Sequence, residues 1–284
     1  MRGFLTPLVF VSIVLCASVA CAQDWQDLNG EHFIVKFIQD ERFAKDALDK
    51  AEVYYRRIAI DLGYPRYSSF WLWENRTKIY IYPDHSSYLK ATGQPEWSHG
   101  MAEYTQKFVA SYNGSGEFLD SILPHEIAHL IFRDFVGFKG EIPLWLDEGV
   151  AQWSEEKRRP QVNAAVKELY IKDSLLTIKD LTELDLRYFK QKNRIYIRAT
   201  HTREGARGVL FLDTVSLVNT YYLQAFSVVG FLITKYGSDR FADFCRELRG
   251  GKSLNDALKS SYALYVPNLD KLEKRWREYL EHEI

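Results

Sequence analysis

Cysteine is scarce in this chain. Of three, Cys16 and Cys21 lie in or beside an apolar N-terminal run, which leaves Cys245 alone in the body of the protein. Removal of that run excludes a fold stapled by intramolecular disulfides. A dominant sign of charge is missing too: 37 basic residues nearly balance 38 acidic ones, which gives no electrostatic footprint for nucleic acid. No internal repeat and no low-complexity linker is present, so neither a solenoid nor a string of tethered modules fits. What the chain does have is apolar mass. With 46% hydrophobic and 15% aromatic residues over 284 positions, it can fill one large core or two small ones packed together.

The N-terminal run is set apart from the fold. Arg2 precedes apolar residues from Phe4 to Val19, and Ala20-Cys21-Ala22 has the small-x-small pattern of a signal-peptidase site. The expectation is an exported protein, periplasmic or extracellular, whose mature chain starts at Gln23. Two alternatives would hold it on a membrane: an uncleaved anchor, since the run approaches bilayer-spanning length, and lipidation of Cys21, to which Ser18 is a poor upstream fit. Cys245 lies with Phe241, Phe244 and Leu248 at helical spacing, the pattern of a core thiol rather than a nucleophile.

Periodicity sketches the rest. Phe33, Val35 and Phe37 alternate as in a strand, and Phe43, Ala47, Ala51, Tyr54, Ile58 and Leu62 recur as on a helix that Gly63 ends. An aromatic, irregular stretch with Phe70, Trp71 and Trp73 leads to a strand over Thr77–Tyr82. A short helix over Ser86–Ala91 and a loop to His99 follow. Tyr104–Tyr112 reads as a third strand closed by Asn113-Gly114-Ser115-Gly116. One helix is expected from Gly116 or Glu117 to near Phe135, with Gly137 as its stop; Pro124 either kinks it or marks where it restarts. Another should run from Pro143 to Glu156, limited by Pro160. Beyond it come a helix over Val162–Ile171, a hairpin of 194–198 and 208–212, and helices over 219–236, 240–248, 253–260 and 268–281. Strands first and helices after point to an α+β architecture, a small mixed sheet with a helical C-terminal part. Residues 23–158 and 159–284 are read as two parts of one unit.

The chemistry concentrates in Leu123-Pro124-His125-Glu126-Ile127-Ala128-His129-Leu130 and in Trp145-Leu146-Asp147-Glu148-Gly149-Val150-Ala151. Side chains four apart share a helix face, so His125 and His129 can address one ion. Zinc takes imidazole and carboxylate ligands tetrahedrally and, in hydrolytic sites, keeps one position for water, beside which Glu126 can act as general base. An H-E-x-x-H run also occurs by chance on polar helix faces. Here Glu148 follows eighteen residues after His129, enough to finish a helix, turn and start a partner.

In these residues the chain resembles the gluzincin metallopeptidases, the peptidase-MA-like group that includes aminopeptidase N-type enzymes. Their H-E-x-x-H, eighteen residues, then Glu-Gly-x-Ala reads here as H-E-I-A-H and D-E-G-V-A. The resemblance implies a zincin (thermolysin-like) fold and one Zn2+ held by His125, His129 and Glu148. It also implies Glu126 as base and a peptide or protein as substrate. It covers mainly Tyr104–Trp153, with a weaker extension at Tyr222-Leu223-Gln224-Ala225, where Tyr222 matches the family's oxyanion donor. Gln224 and Ala225 stand where the family often has Lys and Gly, and Tyr221 competes for the role. Zincins often bind peptide along the strand before the active-site helix. Aminopeptidases anchor the substrate amine through a Gly-x-Met-Glu-Asn run, to which Gly100-Met101-Ala102-Glu103-Tyr104 is similar in content but shifted in order; Glu103 is the candidate anchor.

Gln152 and Asp147 are candidates to orient the ligands, whereas His32, His85, His99, His201 and His282 show no ligand pairing. Arg194, Arg198, Arg203 and Arg207 crowd the hairpin, either as a solvated rim or as a site for a carboxylate or an anionic surface. The functional expectation is an exported zinc metallopeptidase. Its rivals are a non-catalytic zincin-fold binding protein of the cell envelope and a zinc hydrolase of a non-peptide amide.

Overall fold

Alternation in Phe33–Phe37 buries Phe33, Val35 and Phe37 while Ile34 and Lys36 stay half-exposed, and Thr77–Tyr82 does the same with Ile79 and Ile81. These strands belong to a five-stranded sheet. The computed structural model describes residues 24–64, 71–137, 142–184, 186, 195–202 and 204–284. Residues 1–23, with Cys16 and Cys21, and also Phe70, Arg194 and Arg203 lie outside the described residues.

The elements are, in order, β1 (Gln26–Asn29), β2 (Phe33–Phe37), α1 (Glu41–Asp61), β3 (Thr77–Tyr82), α2 (His85–Thr92), β4 (Met101–Glu103) and β5 (Phe108–Tyr112). The sheet order is β1-β2-β3-β5-β4, with β2, β3 and β5 parallel and an antiparallel strand at each edge. Helices α1 and α2 make the crossovers that parallel neighbours require. Asp40 caps α1 by accepting from the Phe43 N–H, and Gly63 leaves that helix at φ 73.

The single strand expected over Tyr104–Tyr112 is instead a hairpin. Met101, Ala102 and Glu103 pair with Ala110, Val109 and Phe108, and Lys107 takes a positive φ of 51 at the turn. The Glu103 carboxylate caps that turn, accepting the N–H groups of Thr105 at 3.2 Å and Gln106 at 2.5 Å. The edge strand on this side of the sheet, opposite β1, is therefore β4 and not β5, the strand that leads toward the H-E-x-x-H helix.

That helix is α3 (Leu123–Val136), preceded by a π turn over Phe118–Ile122. Pro124 lies in the first turn of α3. Its missing N–H and bulky ring account for the wider turn ahead of it, where the Ile122 N–H reaches back to the Glu117 carbonyl. Helix α4 (Leu144–Trp153) follows Pro143 and ends before the expected Glu156, which begins a short 3₁₀ turn. Pro160 sits in the first turn of α5 (Arg159–Ile171), the position where its lost donor costs nothing.

After α6 (Ile178–Glu183) come β6 (Tyr196–His201) and β7 (Arg207–Leu212), then α7 (Thr214–Tyr236), α8 (Ser238–Arg249), α9 (Leu254–Ser261) and α10 (Leu269–His282). Helix α7 starts earlier than the expected Asn219 because Asp213 caps it, accepting from the Ser216 N–H. It is long and apolar enough to cross a membrane, but 72% of its most apolar stretch is buried within the protein. One apolar cluster runs from the sheet through α1, α3 and α4 into α7, α8 and α10, joining residues on both sides of position 158. Cys245 is fully buried in it, and burial pushes its thiol up to about 12.

Two glycines let α4 and α7 approach. A Cβ on Gly149 would stand 2.5 Å from the Ala225 carbonyl oxygen, and one on Gly230 would stand 2.5 Å from the Trp153 ring. The backbone beside Glu148 is thereby held against α7, on which Tyr222 lies.

Candidate metal centre

Helical spacing on α3 places His125 and His129 one turn apart, and α4 brings Glu148 to them. One ligand atom from each of the three lies within 4.8 Å of the others. The His125 and His129 Nε2 atoms are 3.2 Å apart, and Glu148 Oε2 is 3.9 Å from both. His129 is buried, while His125 and Glu148 are partly open.

The far sides of both rings are fixed by carboxylates. His129 Nδ1 is 3.0 Å from Asp147 Oδ1, and His125 Nδ1 is 2.9 Å from Glu155 Oε1. An ionised carboxylate only accepts, so each Nδ1 carries the proton and each Nε2 offers its lone pair. Two facing lone pairs at 3.2 Å repel unless a cation lies between them or one ring is protonated. Tetrahedral ligands about 2.0–2.1 Å from zinc stand roughly 3.3–3.4 Å from one another. The imidazoles match that spacing, and small side-chain shifts would bring Glu148 to it. The donor set fits zinc.

Both orienting carboxylates are themselves held. Asp147 accepts from Arg133 Nη2 at 2.7 Å. Glu155 accepts from Ser121 Oγ at 2.5 Å and Arg158 Nη1 at 2.8 Å. Burial pushes both carboxyls up, but the imidazoles and these donors outweigh it and hold them below the usual carboxylate range. For His129, burial pushes the ring down, yet Asp147, Glu148 and Glu126 together raise it to about 9. The pocket draws a positive charge to itself.

No protein-family model and no curated protein matches this chain. The chemistry of the site therefore rests on its own atoms.

A cavity of about 550 Å³ opens at His125, lined by Gln152, Glu155, Val215, Val218, Tyr222 and Leu223 among others. Tyr222 faces this space, whereas Tyr221 is buried with its hydroxyl at the Trp145 backbone. Burial, with the Glu148 charge adding to it, pushes the Tyr222 phenol up to about 12, so it stays a neutral donor throughout the physiological range. Gln152 lines the cavity, while Asp147 takes up the bond to His129. Glu126 makes no hydrogen bond or ion pair among the described residues, and its charge acts on His129 and Tyr104. The Tyr104 ring meets the edge of His129 with centroids 6.1 Å apart.

Sequence reading missed Glu155, Ser121, Arg133 and Tyr104. None of the four carries a motif; Glu155 lies two residues past the end of α4. Glu103 serves the β4–β5 turn. Of the other histidines, His85 bonds the Ser98 carbonyl at 2.8 Å and His99 the Tyr112 hydroxyl at 2.7 Å. Glu31, His32 and Glu52 also bring three ligand atoms together. There Glu52 takes both the His32 backbone N–H and its Nδ1, and the ring stacks on Tyr55, so the group reads as a clasp between β2 and α1.

Proposed function

We propose that this chain is an exported zinc metallopeptidase of the gluzincin type, built on a zincin fold. The observation that carries the reading is the pair of Nε2 atoms 3.2 Å apart, each imidazole locked from behind by a buried carboxylate, with Glu148 3.9 Å from both. His125, His129 and Glu148 would hold the ion. When bound, zinc supplies a Lewis acid and a water acidic enough to attack near neutral pH.

The remaining work falls to the chain's own residues. Glu126, without another partner among the described residues, accepts a proton from the attacking water at its carboxylate and delivers it to the departing amine as the C–N bond breaks. Tyr222 donates its hydroxyl hydrogen to the carbonyl oxygen as negative charge develops there. Asp147 and Glu155 keep the two imidazoles in one tautomer and one orientation. Val215, Val218 and Leu223 give the cavity an apolar wall suited to a side chain of the substrate, and β4 presents a free edge to an extended peptide. The small-x-small site at Ala20-Cys21-Ala22 sets this activity outside the cytoplasm in the same proposal.

The test is mass-spectrometric cleavage profiling of a mixed peptide library by the zinc-loaded chain, with Glu126→Gln as control and metal content measured on both. One zinc per chain in each, with cuts at least a hundredfold slower in the variant, is expected. Internal cuts would identify an endopeptidase and stepwise N-terminal loss an aminopeptidase. Zinc binding without cleavage would favour the binding protein of the envelope.

A further inference from the structure

The β6–β7 hairpin exposes the wrong kind of residue. Side chains on a two-stranded sheet alternate between its faces. One face turns Tyr196, Leu210 and Leu212 into the protein, and Arg198 on that side pairs with Asp180 at 3.0 Å. The other face points away from the core with Ile195, Ile197, Val209 and Phe211, which are 54%, 62%, 68% and 61% exposed. The register sets Ile197 directly against Phe211 and Ala199 against Val209, so the exposed apolar residues form one patch rather than scattered points.

The sequence adjoining this patch is basic. Residues 187–207 carry seven Lys or Arg and a single acidic residue, Glu204. Arg207 belongs to the outward-facing set, next in alternation to Val209, is exposed, and forms no ion pair among the described residues. An apolar patch with Arg207 on its own face, free of ion pairs among the described residues and set in a basic stretch of sequence, is complementary to a surface that is anionic outside and hydrocarbon beneath.

We propose that the outward face of the β6–β7 hairpin docks on an anionic lipid surface, with Ile197 and Phe211 entering the acyl boundary and Arg207 meeting headgroup phosphates. The contact is peripheral, since α7 is packed inside the protein. Val215, 78% exposed just past β7, also lines the cavity at His125, so docking brings the rim of that cavity to the bilayer. The docking stands on the hairpin alone and does not depend on the metal reading.

Hydrogen exchange measured by mass spectrometry on the full chain tests this locally, so membrane attachment through residues 4–19 does not imitate it. Peptides covering 195–212 are expected to gain protection on vesicles of phosphatidylglycerol and phosphatidylcholine but not on phosphatidylcholine alone. About 1 M sodium chloride, which shortens screening to about 3 Å, should reverse it. Ile197→Ser with Phe211→Ser should abolish the protection while leaving the thermal midpoint unchanged. Arg207→Glu, a surface change that leaves the hairpin's packing alone, should weaken binding roughly fivefold. Exchange unaffected by anionic vesicles, or equal protection on neutral ones, would overturn the proposal. So would lipid-free protection that rises with protein concentration, since a second copy would then be the occupant.

Discussion

Asp147 and Glu148 are chain neighbours that address His129 from opposite sides. Asp147 Oδ1 lies 3.0 Å from Nδ1, and Glu148 Oε2 lies 3.9 Å from Nε2. One carboxylate fixes the ring and its neighbour stands with the ring's lone pair. A single helical turn of α4 therefore supplies both a candidate ligand and an orienting group, and Arg133 ties that turn to α3 through its bonds to Asp147 Oδ2.

Asp147→Asn preserves shape but removes the negative charge that His129 and Arg133 share. Zinc affinity, followed by competition with a chelator, should fall roughly 10- to 100-fold. Glu155→Gln should produce a loss of the same order through His125. A change confined to thermal stability, with zinc affinity intact in both, would show that these carboxylates merely brace the helices.

Tyr222→Phe removes a hydroxyl that matters only when charge develops on the substrate oxygen. The expected result is a drop in kcat of roughly 100-fold, with KM and zinc content near wild type. Tyr221→Phe should leave kcat alone, because the Tyr221 hydroxyl is buried at the Trp145 backbone. Equal losses in the two variants would sink the assignment.

The three candidate ligands were legible because helical period and an eighteen-residue spacing are written directly in the chain. Glu155 was not, although it holds His125. It lies beyond the last residue of α4, where helical phase no longer says which way a side chain points, and only packing against Ser121 brings it inward. The β4–β5 hairpin was hidden for a different reason. Residues 104–112 alternate well enough for one strand, and the turn is imposed by Lys107 at φ 51 and by the Glu103 carboxylate capping it. Gly149, costly within a helix, is what allows the close approach of α4 to α7.

Gly149→Ala tests that approach. Its Cβ would stand 2.5 Å from the Ala225 carbonyl oxygen and 2.7 Å from Val229 Cγ2, and backbone on a packed helix gives way poorly. The variant should lose about 1–3 kcal/mol in denaturant unfolding. It should also bind zinc more weakly, since the push falls beside Glu148. Wild-type stability would mean that α4 and α7 separate more easily than their packing indicates.

Protons and metal compete for the same negative pocket, which fixes the sign of a pH dependence. In the metal-free protein His129 is raised from 6.5 to about 9. A folded-state value above the unfolded one adds stability that is complete below about 6.5 and lost as pH rises through about 9, at most about 3 kcal/mol. The thermal midpoint of metal-stripped protein should therefore fall over that interval, and Asp147→Asn should flatten the fall. Zinc reverses the trend: it needs both Nε2 lone pairs free, so the increment it adds to the midpoint should grow with pH over the same range. A zinc increment that shrank from pH 6.5 to pH 9 would place the ion somewhere other than on His125 and His129.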